Sequence, residues 1–431
     1  MTVFGLGRQQ LFAACLFVQG FLVFGLMVVA RAGVVTSTIV LGLAACFVPY
    51  AIALKLAPDL LSRTRSEQIA LAALFVFGLA FVFAPPALSD DVHRFLWEGR
   101  VWLKGSNPYA LAPADPSLAD LRNDSWAAIN NKTLASIYPP LSQSLFVSIA
   151  LLGGGIWTVK LLALIAHAFT TLAVARISTD SRAPLALALN PLLLSEGALN
   201  GHLDVLTGLA LLVSAWSLSR HRIARAAIAT CVAVGLKAVG VVMLPLFARR
   251  PVAFAAVAAV SAVVLSPLVV FQPLADAASG PAQFAARWRG NESLYAVIEW
   301  MSLQVFEQSV AITLARAGVF GVVLTIGALL VKKRIPPVRA TRILLWTTLL
   351  LSPQVHPWYL AWLLPIEVVS SRLAGLVWSA SVLCAYAPLD RWLAEGVWEM
   401  PIGLRIAEYS VVTAALVLEG RQSHDREEIS S

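Results

Sequence analysis

Two adjacent aspartates, Asp90 and Asp91, open the stretch "SDDVHRFLWEGRVWLKGSNPYALAP" (89–113), directly after a run of almost unbroken apolar residues. Neighbouring carboxylates raise each other's pKa, and a cation such as Arg94 pulls it back, so one of the pair stays ionised near neutral pH. An ionised carboxylate there can accept the proton of an attacking hydroxyl; two together can also hold Mg2+ or Mn2+. Further polar residues adjoin apolar runs. "NGHLD" supplies Asn200, His202 and Asp204, "CVAVGLKAVGVVMLP" supplies Lys237, "RWRGNES" supplies Arg287 and Arg289, and "SPQVHPWYLAWLLP" places His356 between Pro353 and Pro357. Cations and hydrogen-bond donors of this kind stabilise a departing phosphate. Each also has a purely structural reading: a turn and cap for "NGHLD", an internal ion pair for Lys237, a surface cluster for the arginines, an aromatic interface belt around His356. Lys237 weighs most, since a lysine deep in an apolar segment costs ~2.5–3.5 kcal/mol unless it meets a partner or a cavity. In "NNKTLASIYPPLSQ" (130–143), Asn130, Asn131, Tyr138 and the Pro139–Pro140 pair read as connectors, with Lys132 a phosphate contact.

The elements that must position these groups follow from composition. Of 431 residues, 59% are hydrophobic and 13% charged, which no soluble domain matches. Apolar runs long enough to cross ~30 Å of hydrocarbon recur throughout. An all-α polytopic membrane protein is therefore predicted, because open sheets leave backbone groups unsatisfied in lipid. The net charge of +8 does not point to nucleic acid. Its basic residues cluster in short gaps, which marks the cytoplasmic side. With the N-terminus inside, spans are expected near 11–30, 34–55 and 68–88, then an outer loop, 89–140, and an interfacial helix, 141–155. Spans near 157–175, 184–198 and 203–219 follow. The stretch 226–248 reads as two half-helices dipping in and back. Next come 251–271, a second outer loop, 272–308, and spans near 309–331, 341–352, 357–369, 373–389 and 401–418. That makes about 11–13 membrane segments in a single transmembrane domain, 1–431, of the cytoplasmic membrane. The first run ends near "ARAG", a signal-peptidase-like sequence, but its length favours a retained span. Cys15, Cys46, Cys231 and Cys384 are single and lie in apolar runs, without the spacing of a structural zinc site.

Plotted at ~100° per residue, Val92, Phe95, Leu96, Gly99, Trp102 and Leu103 share one side of a helix. Asp90, Asp91, His93, Arg94, Glu98 and Arg100 take the other, with Trp97 the exception. Such a helix is expected to lie along the membrane surface, apolar side down, until "GSNPY" breaks it. Asp91 falls nearer the Phe95/Trp102 edge than Asp90. Asp91 is therefore the expected base, with Asp90 orienting the substrate or a metal.

Four stretches in this order, "SDDVHRFLWEGRVWLKGSNPY", "NNKTLASIYPPLSQ" (130–143), "NPLLLSEGALNGHLD" (190–204) and "SPQVHPWYLAWLLP" (352–365), resemble the bacterial membrane mannosyltransferases, glycosyltransferases of the GT-C fold that use polyprenyl-phosphate sugars. The resemblance runs from about residue 85 to 365. It implies a catalytic acid in the first long outer loop, where Asp90 and Asp91 stand. It does not choose between them, since the pair departs from the Asp-x-Asp of some relatives. The chemistry agrees: outside the membrane there is no nucleotide-sugar supply, and no GxGxxG or Walker loop is present to hold one. The expected function is transfer of a hexose, mannose by the resemblance, from a polyprenyl-phosphate donor to a glycolipid or glycan acceptor at the outer face. Arg94, Lys132, His202, Asp204, Lys237, Arg287, Arg289 and His356 would bind substrate or phosphate. The competing readings are a secondary transporter, which broken helices and Lys237 fit but visible inverted repeats do not, and a lipid-linked-glycan flippase.

Overall fold

The computed structural model describes residues 7–33, 35–271 and 289–430, with side chains as far as 421. Among them the structure is helical throughout, with one isolated bridge, Gly290 to Gln354, and no strand. Five helices are long and apolar enough to cross a membrane: Arg8–Arg31, Thr36–Leu60, Arg63–Val82, Ile156–Ile177 and Gln308–Lys332. Shorter apolar helices include Pro140–Leu151, Asp204–Ser219, Ile223–Leu236, Pro251–Leu265 and Leu294–Leu303. Phe17 and Leu41 stand 75% and 71% exposed on the long helices, a surface suited to lipid and not to water. The protein is an all-α polytopic membrane protein.

The boundaries differ from the expected spans where proline intervenes. The run 184–198 is not one helix but Ala183–Ala188, Pro191–Leu194 and a π-turn, Ser195–Leu199. The run 251–271 stops at Leu265, ahead of Pro267. The second expected loop, 272–308, carries the apolar helix Leu294–Leu303, whose Tyr295 and Glu299 are buried while Val297 and Trp300 are exposed. The half-helix reading of 226–248 holds: Ile223–Leu236 ends at an extended Lys237, and a 3-10 helix, Ala238–Phe247, packs back on it.

The chain divides into two compact units. One comprises Met1–Leu88, Ala163–Asn200 and His356–Ser431; the other comprises Ser89–Leu162 and Gly201–Val355. In the first unit the broken segment 183–199 is wholly buried. Pro191 has no N–H, and Asn190 folds back to cap the next turn by accepting from the Leu193 N–H. Several carbonyls of the preceding turns thereby lose their helical donors. Three long helices supply replacements. Tyr50 Oη donates to the Ala186 carbonyl at 2.6 Å, His167 Nε2 lies 2.9 Å from that of Leu187, and Gln19 Nε2 donates to that of Leu189 at 2.7 Å. Irregular backbone at membrane depth survives only where protein groups replace the lost bonds. Asn190 Nδ2 in turn donates to Ser379 Oγ at 2.8 Å, and Tyr386 Oη donates to Glu196 at 2.7 Å.

In the second unit the helix Asp91–Leu103 crosses Pro140–Leu151. Their backbones come so close that a Cβ on Gly99 would lie 2.2 Å from the Phe146 carbonyl oxygen. The loop 104–139 then folds over the helix. Trp97, Val101, Leu118 and Ile129 form a buried cluster, joined by Leu111, Leu121 and Trp126. The side expected to face the membrane, with Val92, Phe95 and Leu96, is instead buried in protein. Arg94 and Glu98 are buried along with Val92, Phe95 and Leu96. The polar side is covered by its own loop, because Arg94 and Glu98 neutralise each other at 2.6 Å and so can leave water together.

Removing a carbonyl's substitute donor should be felt in stability. Gln19→Leu and Tyr50→Phe each leave a buried carbonyl unpaired, at about 1–3 kcal/mol. The expected outcome is a lower thermal midpoint in detergent for both, and an unchanged one for Phe17→Leu; equal midpoints would mean the broken segment does not need these donors.

Candidate functional site

The helix start and loop return of the second unit bring together what the sequence scattered. Asp91 is the first residue of the helix Asp91–Leu103, and Asp204 the first of Asp204–Ser219. Carboxylates are favoured at that end of a helix by its unpaired N–H groups and dipole. His202 sits in the extended turn ahead of Asp204, where Gly201 adopts φ +82°. A side chain at that glycine would press on Val92 at 3.1 Å and Lys160 at 3.5 Å. The turn thus lies flat against the first turn of the Asp91 helix. It sets the His202 Nδ1 4.0 Å from an Asp91 oxygen, with His202 1% and Asp91 26% exposed.

Lys237 completes the group. Its backbone is extended, φ −153° and ψ 134°, at the junction between two half-helices. The helix it interrupts leaves the Leu236 carbonyl free, and Ser142 Oγ donates to it at 2.8 Å. From this break the Lys237 ammonium reaches Asp204 at 3.3 Å and the Tyr138 ring at 5.7 Å from its centroid. Asp91 therefore has Lys237, Asp204, His202 and Tyr138 around it. Burial raises its pKa above the usual carboxylate range. Lys237 is the largest counterweight, Asp204 raises it further, and Arg94 and a hydrogen-bonding contribution from Tyr138 lower it.

Asp90 has a different setting. Asn130 Nδ2 donates to it at 2.6 Å, and Asn131, at φ +45°, donates to Asn130 at 3.0 Å. Burial first, and the Asp91 charge second, push its pKa up to about 7. Two adjacent acids thus face different partners, one the loop and the other a lysine.

Several expected phosphate ligands serve the loop instead. Arg94 is engaged by Glu98 and by the Asn131 and Leu134 carbonyls. Lys132 Nζ donates to the Ala127 and Ile129 carbonyls at 3.0 and 2.6 Å and lies over the Trp126 ring. Arg289 pairs with Glu299 at 2.6 Å and Glu292 at 3.2 Å. Arg287 lies outside the described residues. His356 belongs to the first unit, where its ring stacks on Trp358 at 4.1 Å just ahead of the turn Pro357–Tyr359. Among the described residues no group of three or more His, Cys, Asp or Glu is placed to hold a metal ion.

The sequence reads Tyr138 and Asn130 as connectors and Glu98 as part of a polar helix face, without assigning them to the site. Glu98 accepts from Arg94, Ser136 and Gln143, tying the helix to the returning loop. Its i, i+4 spacing from Arg94 was a readable signal. Nothing local distinguishes Tyr138 or Asn130 from other loop residues; their roles appear only when the loop closes.

The arrangement offers a partly open carboxylate beside a cation held by a second carboxylate, at the interface between surface loop and membrane helices. Comparison with curated proteins and with solved structures gives no match. A family model does match: the alpha-(1->6)-mannopyranosyltransferase N-terminal domain aligns with residues 23–253, more than half of the chain. That stretch contains Asp90, Asp91, Tyr138, His202, Asp204 and Lys237, so the cluster lies wholly inside the matched region. The chain belongs to this family and is a membrane mannosyltransferase of the GT-C type.

Proposed function

We propose that the protein transfers mannose from a polyprenyl-phosphate donor to a glycolipid or glycan acceptor at the outer face of the cytoplasmic membrane, with Asp91 as general base. The observation that carries this reading is the placement of Asp91, a quarter open, beside Lys237 at a break in a membrane segment. A lipid carrier puts its phosphate at the depth where such a helix break lies. A hydroxyl of the acceptor attacks the anomeric carbon, Asp91 takes its proton, and the bond from that carbon to the phosphate oxygen breaks. Negative charge gathers on the leaving polyprenyl phosphate. Lys237 moves into reach of that charge from Asp204, and the exchange of one anion for another keeps the ammonium neutralised throughout. His202, against Asp91, serves to orient the carboxylate and the sugar hydroxyls. Asp204, once released, remains at a helix start that tolerates its charge.

The choice of Asp91 over Asp90 rests on partners. Asp90 is engaged by the Asn130 amide and is protonated over much of the neutral range, its pKa being about 7. Asp91 has two cations, Lys237 and Arg94, favouring its ionised form. The reading also places the 89–140 loop outside, because the short basic gaps then all fall inside.

Three outcomes test it. Asp91→Asn is expected to lose more than ~10²-fold in kcat, the usual worth of a positioned base, while donor binding persists; near-normal turnover would remove Asp91 from the role. Lys237→Met is expected to lose more than ~10-fold in turnover, measured on folded protein with polyprenyl-phosphate mannose. For the pH profile, the base must be ionised and its pKa is raised. Activity should therefore fall as pH drops through a midpoint above 3.8, the ordinary carboxylate value. An acid limb at or below that value would contradict the assignment. A transporter or flippase would show no dependence of sugar transfer on any of these residues.

A further inference from the structure

We infer that Ser142 and Gln143, adjacent in the helix Pro140–Leu151, are the positioning residues of the site: Gln143 fixes the rotation of the helix that presents Asp91, and Ser142 fixes the break that presents Lys237. The inference rests on the reading of Asp91 as base and Lys237 as leaving-group cation. Both residues are buried, so each acts through the group it holds. The Gln143 amide is used at both ends. An indole N–H can only donate, so Trp102 Nε1 meets Gln143 Oε1, at 2.9 Å. That turns Nε2 toward Glu98, to which it donates at 2.5 Å, and toward Ser136 Oγ at 2.7 Å. Glu98 and Trp102 stand at i, i+4 on the helix Asp91–Leu103, hence on one face of it. A single side chain gripping both resists rotation about the helix axis. Rotation matters here because Asp90 and Asp91 lie ~100° apart around that axis, Asp90 against Asn130 and Asp91 against His202.

Ser142 reaches a different neighbour from the same turn. The helix Ile223–Leu236 ends where Lys237 becomes extended, and the Leu236 carbonyl accepts from Ser142 Oγ at 2.8 Å. Leu141 seats the same helix end: a Cβ on Gly235 would lie 2.9 Å from the Leu141 Cβ, so a glycine there lets the two elements approach. Lys237 follows Leu236 directly. On the proposed reading its ammonium exchanges Asp204 for phosphate, and the Ser142 hydroxyl holds the peptide immediately before it while that happens. Consecutive residues of a helix stand in a fixed relation, ~1.5 Å along the axis and ~100° around it. One helical turn thus carries both grips and sets the separation of base and cation. Apolar packing already joins these elements, since Phe95 and Phe146 stack at 4.7 Å. Such packing is non-directional; what the polar pair adds is orientation.

The two grips can be released one at a time. Ser142→Ala removes one hydroxyl, and Gln143→Met removes the amide at nearly constant volume. In purified full-length protein in lipid nanodiscs, assayed with polyprenyl-phosphate mannose and an α-(1→6)-linked mannobioside, each should lose about 10-fold in kcat. Ser142→Thr, which restores the hydroxyl, should recover most of the Ser142→Ala loss. The dependence on background separates positioning from support of the fold. The Ser142→Ala loss should vanish in Lys237→Met and persist in Asp91→Asn. The Gln143→Met loss should vanish in Asp91→Asn and persist in Lys237→Met. A residue that only stabilises the fold would lower the rate by the same factor in every background, and that outcome overturns the inference. Wild-type kcat in both single variants overturns it too. Should Gln143→Met not accumulate, Trp102→Phe releases the same amide from one side and must show the same dependence on Asp91; a wild-type rate there counts equally against the inference. Asp91→Asn with near-normal turnover would show that the reading of the base has failed, and the inference with it. Inactive Asp91→Asn and Lys237→Met beside fully active Ser142→Ala and Gln143→Met would leave that reading standing and remove only the positioning role.

Discussion

Everything in this fold answers to one constraint: a backbone group or charge taken out of water must find its partner within the protein. An unbroken apolar helix meets the constraint by itself, and the five long helices need little else. Among the described residues two departures from unbroken helix, at Pro191 and at Lys237, are met by side chains from elsewhere. At Pro191 the freed carbonyls of Ala186 and Leu189 take Tyr50 and Gln19, and His167 adds to the Asn190 N–H at that of Leu187. At Lys237 the freed carbonyl of Leu236 takes Ser142. The two breaks solve the same problem and end differently. The first is closed by neutral groups and stays structural. The second also carries an ammonium, which needs a carboxylate, and so becomes chemical.

The charges of the site then follow in order. An ammonium in an apolar segment calls for a partner, and Asp204 at a helix start supplies one to Lys237 at 3.3 Å. Asp91 begins a second helix against the same turn, so its negative charge meets the same lysine. Burial raises the Asp91 pKa, Lys237 pulls it back, and Asp204 raises it again. The loop closes the arrangement. Glu98 and Arg94 cancel each other beneath it, Lys132 holds its carbonyls, and Tyr138 is brought against Phe95 and the Lys237 ammonium. Arg94 and Lys132, which look like phosphate ligands by charge alone, are engaged within this loop.

How much of this could be read from the sequence depends on the range of the interaction. Helical class and membrane residence were legible, because hydropathy over ~20 residues is a local property. So was the break at Lys237, since basic residues at both ends of 226–248 left no room for one plain span. The pairing of "NGHLD" with the acidic stretch was legible only as two suspicious motifs; no local rule places residues more than a hundred positions apart against each other. The surface-helix reading failed for a specific reason. An amphipathic pattern says that one face is polar, not that water covers it, and Arg94 with Glu98 at i, i+4 supplies its own neutralisation. Pro191 and Pro267 were visible, yet the spans around them were read through, because hydropathy is blind to a missing N–H.

The adjacent aspartates show the same limit and how structure resolves it. By type and position they are nearly equivalent, and helical geometry separates them by ~100°. That rotation sends Asp90 to the Asn130–Asn131 turn and Asp91 to His202 and Lys237. Asparagine amides stabilise an acid whatever its protonation, as acceptor for one form and donor for the other, so Asp90 can hold the loop while gaining a proton near pH 7. A lysine stabilises only the ionised form, so Asp91 is the member of the pair whose surroundings reward losing the proton. Two identical side chains in sequence thereby take unlike surroundings: the first meets the asparagines of the loop, and the second is left partly open beside His202 and the Lys237–Asp204 pair.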